Sequence, residues 1–235
     1  EGRAAVQAVA TTAVPLGFVY SSEWYVPPRG QVSFIGAVAD FPQGRPFENP
    51  RNPYGIGRRL PIQVEGDVVL RIGDLLQTFR TVRKEKRFGS VQRPTGILVV
   101  TSLEGGEVQA AVSAEFDRIS SGDKIRLAPE FLPVPGVMPR PIESDVTAEV
   151  LGFPEERPLK GHGSRVFLNV GADQGIVIGD VFRAYKSEPG PGFGMESARL
   201  QIILVEGSRS TARIASIQIP GIRVGDRLRL IEKMY

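Results

Sequence analysis

The sequence predicts an all-β protein: two tandem small SH3-like or OB-like β-barrel modules from an internal repeat, behind an irregular Pro/Gly-rich N-terminal region. Three observations predict it. From residue 60 onward the chain alternates apolar and polar residues in short runs, the period of a half-buried strand. It holds 27 glycines and 19 prolines, punctuating those runs too often for a helical protein. One phrase, apolar-x-x-Gly-Asp, is written four times, ending at Asp74, Asp123, Asp180 and Asp226.

Composition bounds the rest. The 235 residues suit one large domain or two ordinary ones, and 41% hydrophobic residues suffice for a real core. A net charge of +3 is mildly basic, compatible with an acidic partner but short of a dedicated nucleic-acid binder. No cysteine is present, which excludes disulfides, thiolate zinc sites and thiol nucleophiles. No apolar run reaches the length of a membrane span. The chain opens at Glu1 without methionine or apolar leader, so a processed or partial form is expected.

Taken in order, residues 2–14 are small and weakly apolar and read as a linker or a short uncapped helix. Phe18–Tyr20, running toward Val26, and Gln31–Val38 alternate well enough for two short strands, separated by Pro27 and Pro28. Residues 42–59 carry four prolines and three glycines and read as a long irregular loop. The expected organisation is residues 1–59 as the irregular region, 60–130 as barrel module 1, 131–144 as a Pro-rich linker and 145–235 as barrel module 2.

The repeat defines the modules. "GDLLQTFR" from Gly73 lies over "GDVFRAYK" from Gly179: Gly-Asp, two apolar residues, a polar one, a small one, an aromatic and a cation. "ISSGDKIRL" from Ile119 lies over "IRVGDRLRL" from Ile222. Order and spacing agree, which implies two copies of a unit of roughly 60 to 70 residues.

Each phrase fits a turn that launches a strand. Gly73, Gly122, Gly179 and Gly225 supply positive φ without steric cost. Asp74, Asp123, Asp180 and Asp226 can accept backbone N–H bonds and hold the turn closed. The upstream Leu70, Ile119, Ile176 or Ile222 can tuck into the core. The competing role for the aspartates is metal ligation or catalysis. A calcium loop, however, gathers several oxygens in one short segment, and each turn here offers one carboxylate.

No constellation for chemistry emerges. His162 is the single histidine, in a glycine-flanked loop, and neither a triad nor a zinc site forms around it alone. "GPGFG" at 190–194 has no following helix to bind phosphate. Glu115, Asp117, Glu155 and Glu156 show no acid–base pairing. The expectation is a non-enzyme with no catalytic residues, cofactor or metal. Partner contacts are expected where the copies differ: the basic hairpin with Arg83, Lys84, Lys86 and Arg87 after Arg80, and Trp24 and Tyr25 in the N-terminal region. The competing roles are a solvated hairpin tip for the cations and a barrel plug for the aromatics.

The second copy, with Val170-Gly171, Gly175-Ile176, Gly179-Asp180 and Val224-Gly225-Asp226, resembles the small C-terminal β-barrel domain of the flagellar assembly protein FlgT. The first copy, "VEGDVVLRIGDLLQTFR" to "ISSGDKIRL", is similar to the region following LysM peptidoglycan-binding motifs in some Gram-negative envelope proteins. No LysM motif lies in this chain. The resemblance implies a periplasmic or cell-surface scaffold or adaptor, with other envelope proteins or peptidoglycan as partners. The alternative is a nucleic-acid-binding protein on SH3-like or OB-like barrels, using the basic hairpin.

Overall fold

A computed structural model describes residues 13–40, 55–85, 89–104, 107–155, 159–186 and 195–235. The fold is nearly all-β. The chain divides into two compact units, residues 17–130 and residues 131–235, with residues 13–16 grouped with the second.

The first unit contains α1 (Leu16–Ser21), β1 (Trp24–Val26), β2 (Gly36–Val38), β3 (Arg59–Val64), β4 (Leu75–Glu85), β5 (Gly89–Ser102), β6 (Val108–Glu115) and β7 (Lys124–Leu127). Antiparallel pairings run β4–β5–β6–β3–β2–β7 and return from β7 to β4, so six strands close a barrel. Closure removes the sheet edges that an open array would expose. Alternation along each strand sends Leu60, Ile62, Leu76, Leu98, Val100, Ala110, Val112 and Ile125 into one core. Each large aliphatic side chain buried there contributes about 1.5–3 kcal/mol relative to exposure.

The second unit contains β8 (Arg140–Pro141), β9 (Thr147–Gly152), β10 (Arg165–Leu168), a short 3-10 helix (Ala172–Gln174), β11 (Val181–Tyr185), β12 (Glu196–Val205), β13 (Ser210–Ile217) and β14 (Arg227–Lys233). Its pairings run β11–β12–β13–β10–β9–β14 and return to β11, all antiparallel. Phe182, Ala184, Leu200, Ile202, Ala212, Ile214, Leu228 and Leu230 fill the interior.

The two rings superpose element for element in topology: β2, β3, β4, β5, β6 and β7 correspond to β9, β10, β11, β12, β13 and β14. The repeat is therefore longer than the sequence implies. It starts at Gly36 in the first copy, inside residues 1–59, and at Thr147 in the second. Within each ring a further exchange holds. Swapping the first three strands with the last three leaves every pairing in place: β2–β3 becomes β5–β6, β4–β5 becomes β7–β2, and β3–β6 and β4–β7 map onto themselves. Each barrel is thus two three-strand halves, each ending in a Gly-Asp turn and its strand. Four halves account for four phrases.

Three local expectations are corrected. Phe18–Tyr20 is helical, within α1, because Pro15 suits a first helical turn and the Ser22 hydroxyl donates back to the Phe18 carbonyl. Three alternating residues do not separate that short helix from a strand. Of residues 31–38 only Gly36–Val38 is strand. Arg140–Pro141, in the stretch read as linker, pairs with Lys233 and Glu232 at the end of β14. No helix among the described residues is long and apolar enough to cross a membrane.

Candidate functional site

All four phrases fold into one structure. The aspartate carboxylate accepts the backbone N–H three residues upstream: Arg71 to Asp74 at 2.8 Å, Ser120 to Asp123 at 3.0 Å, Val177 to Asp180 at 3.0 Å, Arg223 to Asp226 at 2.8 Å. The aspartate N–H returns a bond to the carbonyl of that same residue, at 3.1–3.2 Å. The glycine between them has φ of 95°, 81°, 102° and 90° at Gly73, Gly122, Gly179 and Gly225, the third position of a type II turn. The turn then clips to a neighbouring strand. The glycine N–H donates to a carbonyl at 2.9 Å, of Val100, Val38, Ile202 and Val150 in turn, and that residue's N–H donates back to the aspartate carbonyl. Leu70, Ile119, Ile176 and Ile222 are buried beneath. The carboxylates are thereby committed to the backbone.

Two of them also hold a cation. Buried Asp123 takes Arg80 Nη2 at 2.9 Å and the Thr95 hydroxyl at 3.0 Å. Thr95 also bonds Thr78 at 2.8 Å. Buried Asp180 takes Lys233 Nζ at 2.7 Å and the Met234 N–H at 2.9 Å. In each barrel the cation comes from the far end of the strand paired with the one the aspartate launches: β4 against β7, and β14 against β11. Asp74 and Asp226 are only half-buried.

Among the described residues no group of three or more His, Asp or Glu side chains could hold a metal. His162 is exposed in its loop.

The outer walls differ between barrels. In the first, α1 and β1 form a strap over the wall. Trp24 is buried, its ring 4.9 Å from Phe79 at 62°, edge to face. The Arg126 guanidinium lies 3.6 Å from the Trp24 ring centroid and is oriented by Gln77 Oε1, which accepts from Arg126 Nε at 2.7 Å. Gln77 Nε2 donates to the Tyr20 carbonyl at 2.7 Å, and Arg93 pairs with buried Glu23 at 3.3 Å. Burial pushes the Tyr20 hydroxyl above its usual range. Three backbone pairs, Trp24–Gln92, Tyr25–Val91 and Val26–Ser90, tie β1 to the part of β5 that projects past the ring.

The equivalent wall of the second barrel carries arginines. Gln77 is paired with Arg126 on one side and Ile97 on the other; Arg183 is paired with Arg229 and Arg199. Residues directly opposite share a face, so three guanidiniums form a row across β14, β11 and β12. Carboxylates interleave them: Glu196 lies 3.0 Å from Arg183 and 3.4 Å from Arg199, and Glu232 lies 3.4 Å from Arg199. Arg229 donates to the Ser144 carbonyl at 2.7 Å and meets Asp145 at 3.3 Å. Like charges facing across strands oppose folding, so the row survives because the acids between them screen it.

The residues singled out in the sequence are dispersed. Trp24 packs on the outer wall, not in a barrel end, and offers no free ring face. Tyr25 is half-buried on the opposite side of β1. Arg83 and Lys84 lie on β4 itself rather than in a loop, opposite Val91 and Ser90. Lys86 and Arg87 fall outside the described residues, as do residues 42–54 and 187–194. Arg80, the first cation of that run, is held by Asp123. The arginine row is not legible in the sequence, where Arg183, Arg199 and Arg229 read as ordinary polar positions of alternating strands. The signal lay in their cross-strand register.

No protein-family model matches the chain, and no curated protein matches its sequence.

Proposed function

We propose that this protein is a non-enzymatic scaffold or adaptor of the bacterial envelope, working in the periplasm or at the cell surface beside other envelope proteins or peptidoglycan. One observation carries the binding-protein reading: what repeats between the copies is committed to the fold, and what differs lies on the outer walls. The four glycines, the four aspartates and the four upstream apolar residues all close barrels. The walls then diverge, strapped in one barrel and arginine-rich in the other. That division suits two rigid modules that present different surfaces on one frame. The envelope location rests on the resemblance of both copies to modules of FlgT-like and LysM-associated proteins. Lack of cysteine is compatible with it. Fractionation of cells producing the protein from its own gene tests the location. Recovery with the periplasm or the envelope is expected, and recovery wholly in the cytoplasm contradicts it.

A further inference from the structure

We infer that one end of the first barrel, around Val69, Ile72, Leu75 and Leu127, docks an extended segment of a partner protein in which an apolar residue stands beside an arginine or lysine. This names the partner chemistry for the adaptor reading and rests on it.

The second barrel shows the same end when it is covered. With Gly73 set on Gly179 and Gly122 on Gly225, Leu75 corresponds to Val181, Leu127 to Leu230 and Ile72 to Ile178. Val181 and Leu230 keep 7% and 4% exposure, against 38% and 52% at Leu75 and Leu127. Ile178 is half-buried, whereas Ile72 is 68% exposed. The cover in the second barrel is its own chain. β8 pairs with Glu232 and Lys233, the Ile142 N–H donates to the Ile231 carbonyl at 2.9 Å, and Ile142 and Val146 pack on the core that holds Leu230. Met234 lies against the Gly179 turn, its N–H on Asp180.

The first barrel has no such cover among the described residues. β7 stops at Leu127, whereas β14 runs past Leu230 to Lys233. Pro129 stands in the place of Glu232 and has no N–H for a ladder. The Ala128 N–H goes to the Leu75 carbonyl at 2.9 Å, which sets Leu75 beside Leu127. The Gly73 turn, clipped to Val100, adds Ile72, and exposed Val69 precedes the buried anchor Leu70. Apolar side chains gathered at one place and rimmed by charge mark an interaction site.

Charge selects the class of partner. Where β3, β5 and β7 leave the ring, exposed Glu65, Asp67, Glu104, Glu107 and Glu130 follow, against the cation Arg71. The chain as a whole carries a net charge of +3, so this surplus of acid is local. An acidic rim repels nucleic acid and anionic lipid and favours a cationic segment. The cis cover of the second barrel has that chemistry, with Arg140 and Ile142 on either side of Pro141.

The probe is a carboxy-amidated peptide, Val-Met-Pro-Arg-Pro-Ile, the sequence of residues 137–142, titrated into the isotope-labelled full chain and followed by amide chemical shifts. β8 holds its own place on the second barrel, because its tether gives it a high effective concentration. Saturable shifts at Ile72, Leu75, Leu127 and Ala128 are expected. Ile72→Ser with Leu127→Ser should weaken binding about tenfold or more. Asp67→Lys with Glu130→Lys should weaken it several-fold, as should high salt. Changing the arginine of the peptide to glutamate should abolish it. Val224→Ser in the second barrel should leave it unchanged. The spectra themselves show that each variant is folded. No saturable shifts at this end overturns the inference, as do shifts that survive both double variants. A dimer of the chain alone that Ile72→Ser with Leu127→Ser dissolves gives the face to a second copy and overturns it. So does an oligonucleotide or a phosphatidylglycerol vesicle that binds the same end more tightly. Binding by the purified chain does not depend on compartment, so failure here leaves the envelope location standing, and a cytoplasmic location leaves this inference standing.

Discussion

The Asp180 carboxylate receives the Lys233 ammonium at 2.7 Å, joining the turn that opens β11 to the last strand of the chain. The same carboxylate takes the Met234 N–H and the Val177 N–H, so one buried group closes a turn and anchors the end of β14. The carboxylate of Asp226, its counterpart in the same barrel, takes the turn bond from Arg223, with no cation bonded to it among the described residues.

That difference makes the four aspartates unequal. Asp180→Asn leaves the Lys233 ammonium half-buried without its counter-charge, a loss of about 3–5 kcal/mol when a buried pair is broken. Asp123→Asn removes the partner of Arg80 and disturbs Thr95, and belongs to the same class. Asp74→Asn and Asp226→Asn should cost only about 1 kcal/mol, the net worth of one hydrogen bond. Urea denaturation of the four variants checks the order; equal midpoints would contradict it.

The strap gives a second expectation. Trp24→Ala removes a buried ring between Phe79 and Arg126 and should destabilise the first unit by about 3–5 kcal/mol. Arg126→Ala should cost less but expose the indole. Trp24 is the single tryptophan, so its emission reports the strap directly. A red shift in Arg126→Ala is expected, and an unchanged spectrum would mean the ring is not shielded by the guanidinium.

Glycine at the turns is required by geometry rather than space. Gly73→Ala meets nothing within 4 Å yet must hold φ near 95°. Gly179→Ala must hold φ near 102° and also brings its Cβ to 3.0 Å from Met234 Cγ. Both should lose about 1–2 kcal/mol to the left-handed backbone, with Gly179→Ala the worse. Thermal melts rank them; a more stable Gly73→Ala would rule out the turn type.

The arginine row is expected to contribute little to stability. Glu196→Gln breaks contacts with Arg183 and Arg199 that are partly solvated, worth about 0.2–1 kcal/mol each. Its melting temperature should fall by a few degrees at most at low salt, and the difference should shrink at high salt. A large loss would move the row from the surface chemistry of the barrel to its framework.

Much of this fold is legible in the sequence because its joints are made of residues with few substitutes. A positive φ asks for glycine, a backbone amide at the turn asks for a short acceptor, and the core asks for Leu70, Ile119, Ile176 and Ile222 at a fixed offset. Ring closure is not legible. The β3–β6 and β2–β7 pairings join segments far apart in the chain, and β2 is only three residues long. For the same reason the first module, read from residue 60, misses β2, whose three residues carry no shared phrase. The strap was hidden because Phe18–Tyr20 alternates like a strand over too short a span. The arginine wall was hidden because register, not composition, brings Arg183, Arg199 and Arg229 into one row.

The central claim is that four Gly-Asp phrases make four equivalent closures. Native-state hydrogen exchange at the amides of Gly73, Gly122, Gly179 and Gly225 tests it most directly. Gly73, Gly122 and Gly225 are exposed residues, yet each N–H is held by a strand carbonyl at 2.9 Å. All four amides should exchange slowly, with protection matching the strands they clip to. Exchange at the rate of an open loop at any one of them would contradict the claim.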